Sequence, residues 1–79
     1  MADTRHGPED RALGVDLGRR LASAIGELPL VFREAVVLRD VQGLSYGQIG
    51  EILGVRIGTV RSRIARGRER LRALLEESR

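Results

Sequence analysis

The hydrophobic positions in the last third of the chain recur at the spacing of a helix. Six of them follow one another at steps of four, three, four, three and one: Val60, Ile64, Gly67, Leu71, Leu74 and Leu75. At about 100° per residue, all six lie within a sector of about 100°. The pattern therefore predicts a helix over residues 57–76 with one face buried in a core.

The opposite face of this predicted helix is polar and rich in arginine. It carries Gly58, Ser62, Ala65, Arg66 and Glu69, with Arg61 at its margin. A face of this kind is typical of a helix that packs on one side and meets solvent or a charged partner on the other.

A shorter predicted helix, over residues 46–53, precedes the long one. Ser45 and Gln48 have the spacing of a capping box, in which each side chain pairs with the backbone amide of the other residue. Gly54 supplies a left-handed residue that ends the helix, so Gly54, Val55 and Arg56 form the turn. This order predicts a helix-turn-helix, a motif whose second helix places its first outward residues in the major groove of DNA.

Two more helices are predicted in the first half of the chain. Apolar residues at helical spacing define one over residues 9–27, and Leu28-Pro29 ends it because a residue before proline is disfavoured in helical conformation. In the next helix, over residues 30–41, the predicted core side carries Phe32, Ala35, Val36 and Leu38. The predicted outer side carries Arg33, Arg39 and Asp40.

These four helices, with no strand-like alternation between them, predict an all-α fold. We expect a small four-helix domain over residues 9–79 with a C-terminal helix-turn-helix. Residues 1–8 are polar and aperiodic, which predicts a linker or a disordered terminus.

The composition excludes several classes of function. A chain of 79 residues allows one small domain and leaves no room for a buried enzyme pocket. With no Cys and one His, the chain offers no thiolate metal site and no nucleophile or acid–base constellation. We therefore expect no enzyme activity, no metal, no cofactor and no small-molecule substrate. No apolar run approaches the roughly 18 residues of a membrane span, and the amino terminus lacks a signal-peptide core, so we expect a cytoplasmic protein without membrane insertion.

The charge is distributed unevenly between the two parts of the chain. Residues 1–55 hold six Arg and eight acids, whereas residues 56–79 hold eight Arg and three acids. The basic excess therefore coincides with the last predicted helix. Binding to a polyanion requires clustered cations more than a high total charge, so this asymmetry indicates a nucleic-acid surface.

Several short motifs resemble those of one known family. They are LP at 28–29, LRD at 38–40, GLSY at 43–46, I at 49 with EILGV at 51–55, and GTVRSR at 58–63. With them, residues 8–75 resemble region four of bacterial sigma factors, closest to the extracytoplasmic-function group. In that family the domain binds the minus-35 promoter element, docks on the flap of the RNA polymerase beta subunit, and is often held inactive by an anti-sigma factor. The resemblance also implies that the chain is an excised domain, since the family's region two has no counterpart here.

The resemblance and the predicted outward face together give a set of candidate DNA-binding residues. Arg61, Ser62, Ala65 and Arg66 match the positions that face the groove in the family, and the helical angles select the same four. Ser45 and Tyr46 lie where a helix amino terminus can hold a phosphate. The full set is Ser45, Tyr46, Thr59, Arg61, Ser62, Arg63, Ala65 and Arg66.

The first half of the chain carries more apolar side chains than so small a bundle is expected to cover. A contiguous exposed patch there would mark a surface for a protein partner. The candidate residues are Leu13, Leu17, Leu21, Phe32 and Val36.

Two alternatives remain open from the sequence. A LuxR-like output domain of a transcriptional regulator also has four helices and a similar Gly-Thr-Val start to its recognition helix, but such domains commonly dimerise and bind paired half-sites. A helical adaptor, whose main role is to bind another protein, would use the apolar surface of the first half instead.

Overall fold

The chain forms four helices joined by short connections. The computed structural model describes the backbone of residues 8–77 and the side chains of residues 14–77, and this part of the chain contains no strand. Helix α1 spans Pro8–Gly26, α2 spans Leu30–Val36 and continues as a π-helical segment over Val37–Val41, α3 spans Tyr46–Leu53, and α4 spans Ile57–Glu77.

The predicted all-α fold is confirmed, and each predicted helix boundary agrees with the structure to within one residue. The linker or disordered terminus was predicted over residues 1–8. Residues 1–7 lie outside the described residues, so it stays a prediction there, whereas Pro8 is the first residue of α1. No helix in the described part of the chain is both long enough and apolar enough to cross a membrane.

Pro29 separates α1 from α2, as the sequence predicts. It has φ −53° and ψ 145°, which is extended, and its carbonyl accepts hydrogen bonds from the amides of Phe32 and Arg33 at 3.0 and 2.9 Å. The π-helical segment was not predicted. There the amide of Gln42 donates to the carbonyl of Val37 at 3.0 Å, five residues back, so each turn closes with one residue more than in an α-helix. Gly43, with φ 75°, ends the segment.

The centre of the core is built by α2, α3 and α4. Ala35, Ile49 and Val60 are fully buried, and Ile64 is 1% exposed. Five partly buried residues surround this cluster: Leu38, Leu44, Tyr46, Leu53 and Val55. Helix α3 and the first half of α4 are therefore held against α2 by the same apolar contacts.

Gly67 marks a close approach of α2 and α4. A Cβ atom on Gly67 would lie 2.5 Å from Val36 Cγ2 and 3.3 Å from the backbone oxygen of Phe32. Val36 is only 1% exposed. Its assignment to a partner surface was therefore wrong, because α4 covers this side of α2.

Two arginines that the sequence placed on the outside of the second helix are half-buried instead. The Arg33 guanidinium donates hydrogen bonds to the carbonyls of Gly26 and Leu28, both at 3.0 Å, and so binds the C-terminal end of α1. Arg39 lies in the π-helical segment and contacts the start of α3, as described below. The outward assignment of these two side chains was wrong because the backbone carbonyl groups that they bind, five to seven residues away in the sequence, belong to the turns at either end of the second helix.

Helix α1 lies against the second half of α4. Ala24 is buried, and the Arg20 guanidinium donates to the carbonyl of Leu75 at 3.4 Å. Leu17 and Leu21 remain exposed, by 57% and 38%. The side chain of Leu13 lies outside the described residues.

Candidate nucleic-acid interface

The start of α3 is fixed by its own sequence. The amide of Gln48 donates to Ser45 Oγ at 3.1 Å, and the amide of Ser45 donates to Gln48 Oε1 at 2.9 Å. The predicted capping box is therefore confirmed. These two bonds leave Ser45 exposed at the amino terminus of α3, with Tyr46 as the first helical residue.

The turn between α3 and α4 is fixed by two glycines. Gly54 has φ 69°, the left-handed conformation predicted for it. The amide of Val55 donates to the carbonyl of Gly50 at 3.0 Å, and a Cβ atom on Gly50 would lie 2.8 Å from the carbonyl oxygen of Val55. The turn therefore folds back onto α3 at backbone distance, which sets the angle at which α4 leaves.

Helix α4 presents its predicted outward face to solvent. Val60 and Ile64 are turned into the core, while Arg61 and Arg66 are exposed on the other side. Ser62 and Ala65 are exposed beside the two arginines. Two basic side chains thus flank one short hydroxyl and one methyl group, an arrangement that admits close approach of a polyanion.

The remaining predicted residues of α4 lie at the edges of this face. Thr59 and Arg63 are half-buried. The Ser62 hydroxyl donates to the carbonyl of Thr59 at 3.1 Å. The hydroxyl oxygen of Ser62 keeps lone pairs that can accept a hydrogen bond from an incoming donor.

Tyr46 connects the amino terminus of α3 to α4. The Arg61 Cζ atom lies over the Tyr46 ring, 5.9 Å from its centroid. Arg39 Cζ lies over the same ring at 4.9 Å, and Arg39 Nη1 donates to the carbonyl of Leu44 at 2.9 Å. The structure thus brings together Tyr46 and Arg61, which the sequence proposed separately, and adds Arg39.

Sequence reasoning missed Arg39 because helical angles place it on the outer side of α2. The π-helical segment changes the direction of the residues within it, and no periodicity in the sequence signals that segment. The LRD motif at 38–40 was noted only as part of the family resemblance.

An ion pair joins the π-helical segment to α4. Arg68 Nε donates to Asp40 Oδ2 at 2.9 Å, and Arg68 Nη2 donates to Asp40 Oδ1 at 2.5 Å. These hydrogen bonds from Arg68 lower the pKa of the Asp40 carboxyl below its ordinary value, and the charges of Arg68 and Arg39 act in the same direction. The hydrogen bonds also raise the pKa of Arg68. Arg68 therefore joins α4 to the π-helical segment, and we do not count it among the candidate DNA-binding residues.

The described residues contain no group of three or more His, Cys, Asp or Glu side chains that could hold a metal ion. The chemistry of this surface is instead that of exposed guanidinium groups on a rigid helix. Such a surface can donate hydrogen bonds to phosphates and to base edges.

Comparison with known proteins identifies a family with this pattern. A sequence profile of the family described as Sigma-70, region 4 matches residues 18–71. That span includes the end of α1, all of α2 and α3, and the part of α4 that carries the outward face.

Three curated proteins illustrate the similarity. The chain is 59% identical over 59 residues to the ECF RNA polymerase sigma factor SigE of Mycolicibacterium smegmatis, covering 75% of this chain and 23% of that protein. It is 41% identical over 70 residues to the ECF RNA polymerase sigma factor SigW of Bacillus subtilis, covering 89% of this chain and 37% of that protein. It is 45% identical over 62 residues to the ECF RNA polymerase sigma-E factor of Haemophilus influenzae, covering 78% of this chain and 33% of that protein. The chain therefore spans between 23% and 37% of the length of these relatives.

Proposed function

Because the chain belongs to the sigma-70 region 4 family, we propose that it recognises the minus-35 element of promoter DNA as one domain of an extracytoplasmic-function sigma factor. In this role it helps to direct RNA polymerase to the promoters that it transcribes. The observation that carries the proposal is the exposed face of α4, where Arg61, Ser62, Ala65 and Arg66 stand opposite the buried Val60 and Ile64.

Each residue of this face has a distinct role in the proposal. Arg66 and Arg61 contact base edges in the major groove or adjacent phosphates, because a guanidinium can donate two hydrogen bonds to a guanine. Ser62 exchanges a hydrogen bond with a base or phosphate. Ala65 permits close approach of the helix to the groove floor.

Other residues contact the DNA backbone in the proposal. Ser45 and Tyr46 hold a phosphate at the amino terminus of α3, where the helix dipole and free amides favour an anion. Thr59 and Arg63 contact phosphates at the edges of the outward face. Contacts of this kind set the register of the protein on the duplex but carry no sequence information directly.

The family also supports protein partners for this domain. We propose that it docks on the beta-subunit flap of RNA polymerase and is controlled by an anti-sigma factor, in the cytoplasm and without enzyme activity of its own. The exposed side chains of Leu17 and Leu21 on α1 support a partner-binding surface. Phe32, the candidate on α2, is half-buried, and the Arg70 Cζ atom lies over its ring at 5.2 Å from the centroid. Leu13 belongs to the same stripe by its position in the sequence.

The family match disfavours a LuxR-like output domain. A LuxR-like domain is expected to bind paired half-sites as a dimer, whereas the proposed function requires one copy of the domain on one short element. The stoichiometry of the DNA complex therefore separates the two. An adaptor would bind its protein partner and show no sequence preference on DNA.

The test is a titration of the domain against a short duplex carrying a minus-35 element of an extracytoplasmic-function promoter and against a scrambled duplex. We expect Arg66→Ala to lose about 1–3 kcal/mol of binding free energy on the promoter duplex and to relax preference at one position. Arg72→Ala is the matched control, because it removes one positive charge from an exposed site in the second half of α4.

Salt dependence gives a second measure in the same titration. About four to five neutralised phosphates predict a slope near −4 when the logarithm of the affinity is plotted against the logarithm of the salt concentration. A flat response, or equal affinity of the unsubstituted domain for both duplexes, would contradict the proposed function. Equal losses for Arg66→Ala on both duplexes would assign Arg66 to phosphate contact instead.

A further inference from the structure

Three side chains from three elements meet at the amino terminus of α3. Arg39 comes from the π-helical segment, Tyr46 from the first turn of α3, and Arg61 from the first half of α4. Both guanidinium carbons lie over the Tyr46 ring, that of Arg39 at 4.9 Å and that of Arg61 at 5.9 Å from the centroid.

We propose that the Tyr46 ring, held in place by Arg39, is a platform that orients Arg61 and thereby sets the sequence preference at the position that Arg61 contacts. The inference rests on the proposed function, in that Arg61 meets DNA. It assigns Tyr46 and Arg39 as positioning residues, and it gives the aromatic ring of Tyr46 a role separate from that of its hydroxyl group.

The Tyr46 ring is held in place by the core and by Arg39. Tyr46 packs against the core cluster and follows directly on the capping box of Ser45 and Gln48, so its backbone has little freedom. Arg39 is half-buried and is anchored by its hydrogen bond to the carbonyl of Leu44 at 2.9 Å. A guanidinium that stacks on the ring while bound to the backbone holds the ring in one orientation.

Arg61 is less constrained than Arg39. Arg61 is exposed, and its long side chain loses up to about 2 kcal/mol of rotamer entropy if it is ordered only when DNA binds. A ring that already favours one orientation of the guanidinium removes part of that cost. A cation–π contact with the ring leaves the guanidinium donors that point away from the ring free for a base or a phosphate.

The carboxylate of the π-helical segment is paired with another arginine and does not compete with the ring for Arg61. Asp40 also lies in the π-helical segment, and both of its carboxylate oxygens accept hydrogen bonds from Arg68. A carboxylate paired with Arg61 would orient the side chain, but it would also neutralise the positive charge that attracts DNA. An aromatic face orients the cation and leaves its positive charge available.

The first experiment measures the stacking in the free domain. Protons above an aromatic ring shift upfield, so the Hδ and Hε signals of Arg61 should move downfield in Tyr46→Leu and stay shifted in Tyr46→Phe, which keeps the ring. Unchanged Arg61 signals in Tyr46→Leu would overturn the proposal. This measurement needs no DNA, so it stands apart from the outcome for the proposed function.

The second experiment measures sequence preference with duplexes substituted one position at a time. We expect Tyr46→Leu to lose about two- to five-fold of the preference at the position that Arg61 contacts, the range of an exposed cation–π contact, and Tyr46→Phe to keep it. Arg61→Lys keeps the charge without the planar stack, and it should lose the same preference with an unchanged salt slope. Arg39→Gln should show a partial loss.

Two outcomes of the second experiment would overturn the proposal that the Tyr46 ring orients Arg61. If Tyr46→Phe loses as much sequence preference as Tyr46→Leu, the hydroxyl group of Tyr46, and not its ring, sets that preference. If the losses of Tyr46→Leu and Arg61→Ala simply add in the double variant, the two residues act independently. An unsubstituted domain without any sequence preference would instead count against the proposed function, while the proton shifts still decide whether the platform exists.

Discussion

The two halves of this small bundle are held together in different ways. Around the helix-turn-helix, Ala35, Ile49 and Val60 have no exposed surface, and they join α2, α3 and α4 into one core. Along α1, by contrast, Leu17 is 57% exposed and Val15 is 55% exposed. The helix-turn-helix half also exposes apolar side chains at its surface, with Val41 66% exposed and Ile52 60% exposed. The contrast is therefore between a half built around a fully buried centre and a helix in which Ala24 is the only buried residue among residues 14–26.

The difference shows where rigidity is needed for the proposed function. The face proposed to contact DNA is carried by the half with the fully buried core, so the backbone of α4 is held in place before DNA binds. The α1 half has apolar side chains with room for another surface to cover them. Substitutions at matched positions in the two halves measure how unequal they are.

The largest expected effect is that of an acidic residue at the centre of the core. Val60→Asp buries an unpaired carboxylate at a site with no exposed surface, which costs several kcal/mol. A domain of this size is stabilised by about 4–12 kcal/mol in total. We expect the variant to show no cooperative unfolding transition in circular dichroism at 222 nm.

Leu17→Asp is the matched substitution in the other half. Its side chain is already more than half exposed, so we expect a loss of about 1 kcal/mol in urea unfolding. Similar losses at the two sites would show that α1 is as firmly packed as the helix-turn-helix, and the contrast between the halves would disappear.

A smaller effect is expected from adding one methyl group at a glycine. Gly67→Ala places a Cβ atom 2.5 Å from Val36 Cγ2 and 3.3 Å from the backbone oxygen of Phe32, so α2 and α4 must separate. Overpacking of this kind costs about 1–3 kcal/mol, even after the better helix propensity of alanine. The thermal midpoint should fall.

Gly18→Ala provides the control in α1. No atom lies within 4 Å of a Cβ at that position, so only the helix propensity changes, and we expect a gain of about 0.5–1 kcal/mol. The two Gly→Ala substitutions should therefore have opposite signs. A gain at Gly67 would mean that the crossing of α2 and α4 is looser than the structure shows.

The smallest expected effect concerns the ion pair that joins the π-helical segment to α4. Because the native pKa of Asp40 lies below its ordinary value of 3.8, the pair stabilises the fold above that pH, and the contribution is lost as the pH falls through 3.8 and then through the lowered native value. The side chains of Arg68 and Asp40 are 47% and 36% exposed, so solvent screening limits the effect to about 0.2–1 kcal/mol.

The measurement is urea unfolding at pH 6 and pH 3, with Asp40→Asn and Arg68→Gln as single and double variants. We expect the coupling between the two sites to be present at pH 6 and to shrink at pH 3. A coupling that is unchanged by pH would show that packing, and not the carboxylate charge, joins these residues.

Much of the helix-turn-helix half is predictable because the sequence patterns that specify it are local. The capping box at Ser45 and Gln48 and the left-handed Gly54 depend on residues within one helical turn of each other. The buried face of α4 follows from the helical repeat, and the structure confirms that Val60, Ile64 and Gly67 lie in the core. Helix and turn geometry is the same in all proteins, so a given residue spacing predicts the same local structure in any chain.

The errors fall where separate elements of the fold meet, whether they are close or far apart in the sequence. Helical angles placed Val36 on the core side of the second helix, and its additional assignment to a partner surface was wrong because α4 covers that side of α2. Arg33 and Arg39 were placed outside because their partners, carbonyl groups and an aromatic ring, lie in other turns of the fold. The π-helical segment, which directs Arg39 towards Tyr46, has no periodic signal of its own.

The sequence by itself therefore determined the four helices, the turn and the outward face of α4, since backbone hydrogen bonds and the 3.6-residue repeat act within a segment. Only the tertiary structure decided that Arg39 and Arg61 both contact the ring of Tyr46. It also decided that Arg68 pairs with Asp40 and that Leu17 and Leu21 on α1 remain exposed. These features depend on how the helices cross, and the crossing is fixed by close contacts such as that of Gly67 with Val36, which join residues far apart in the chain.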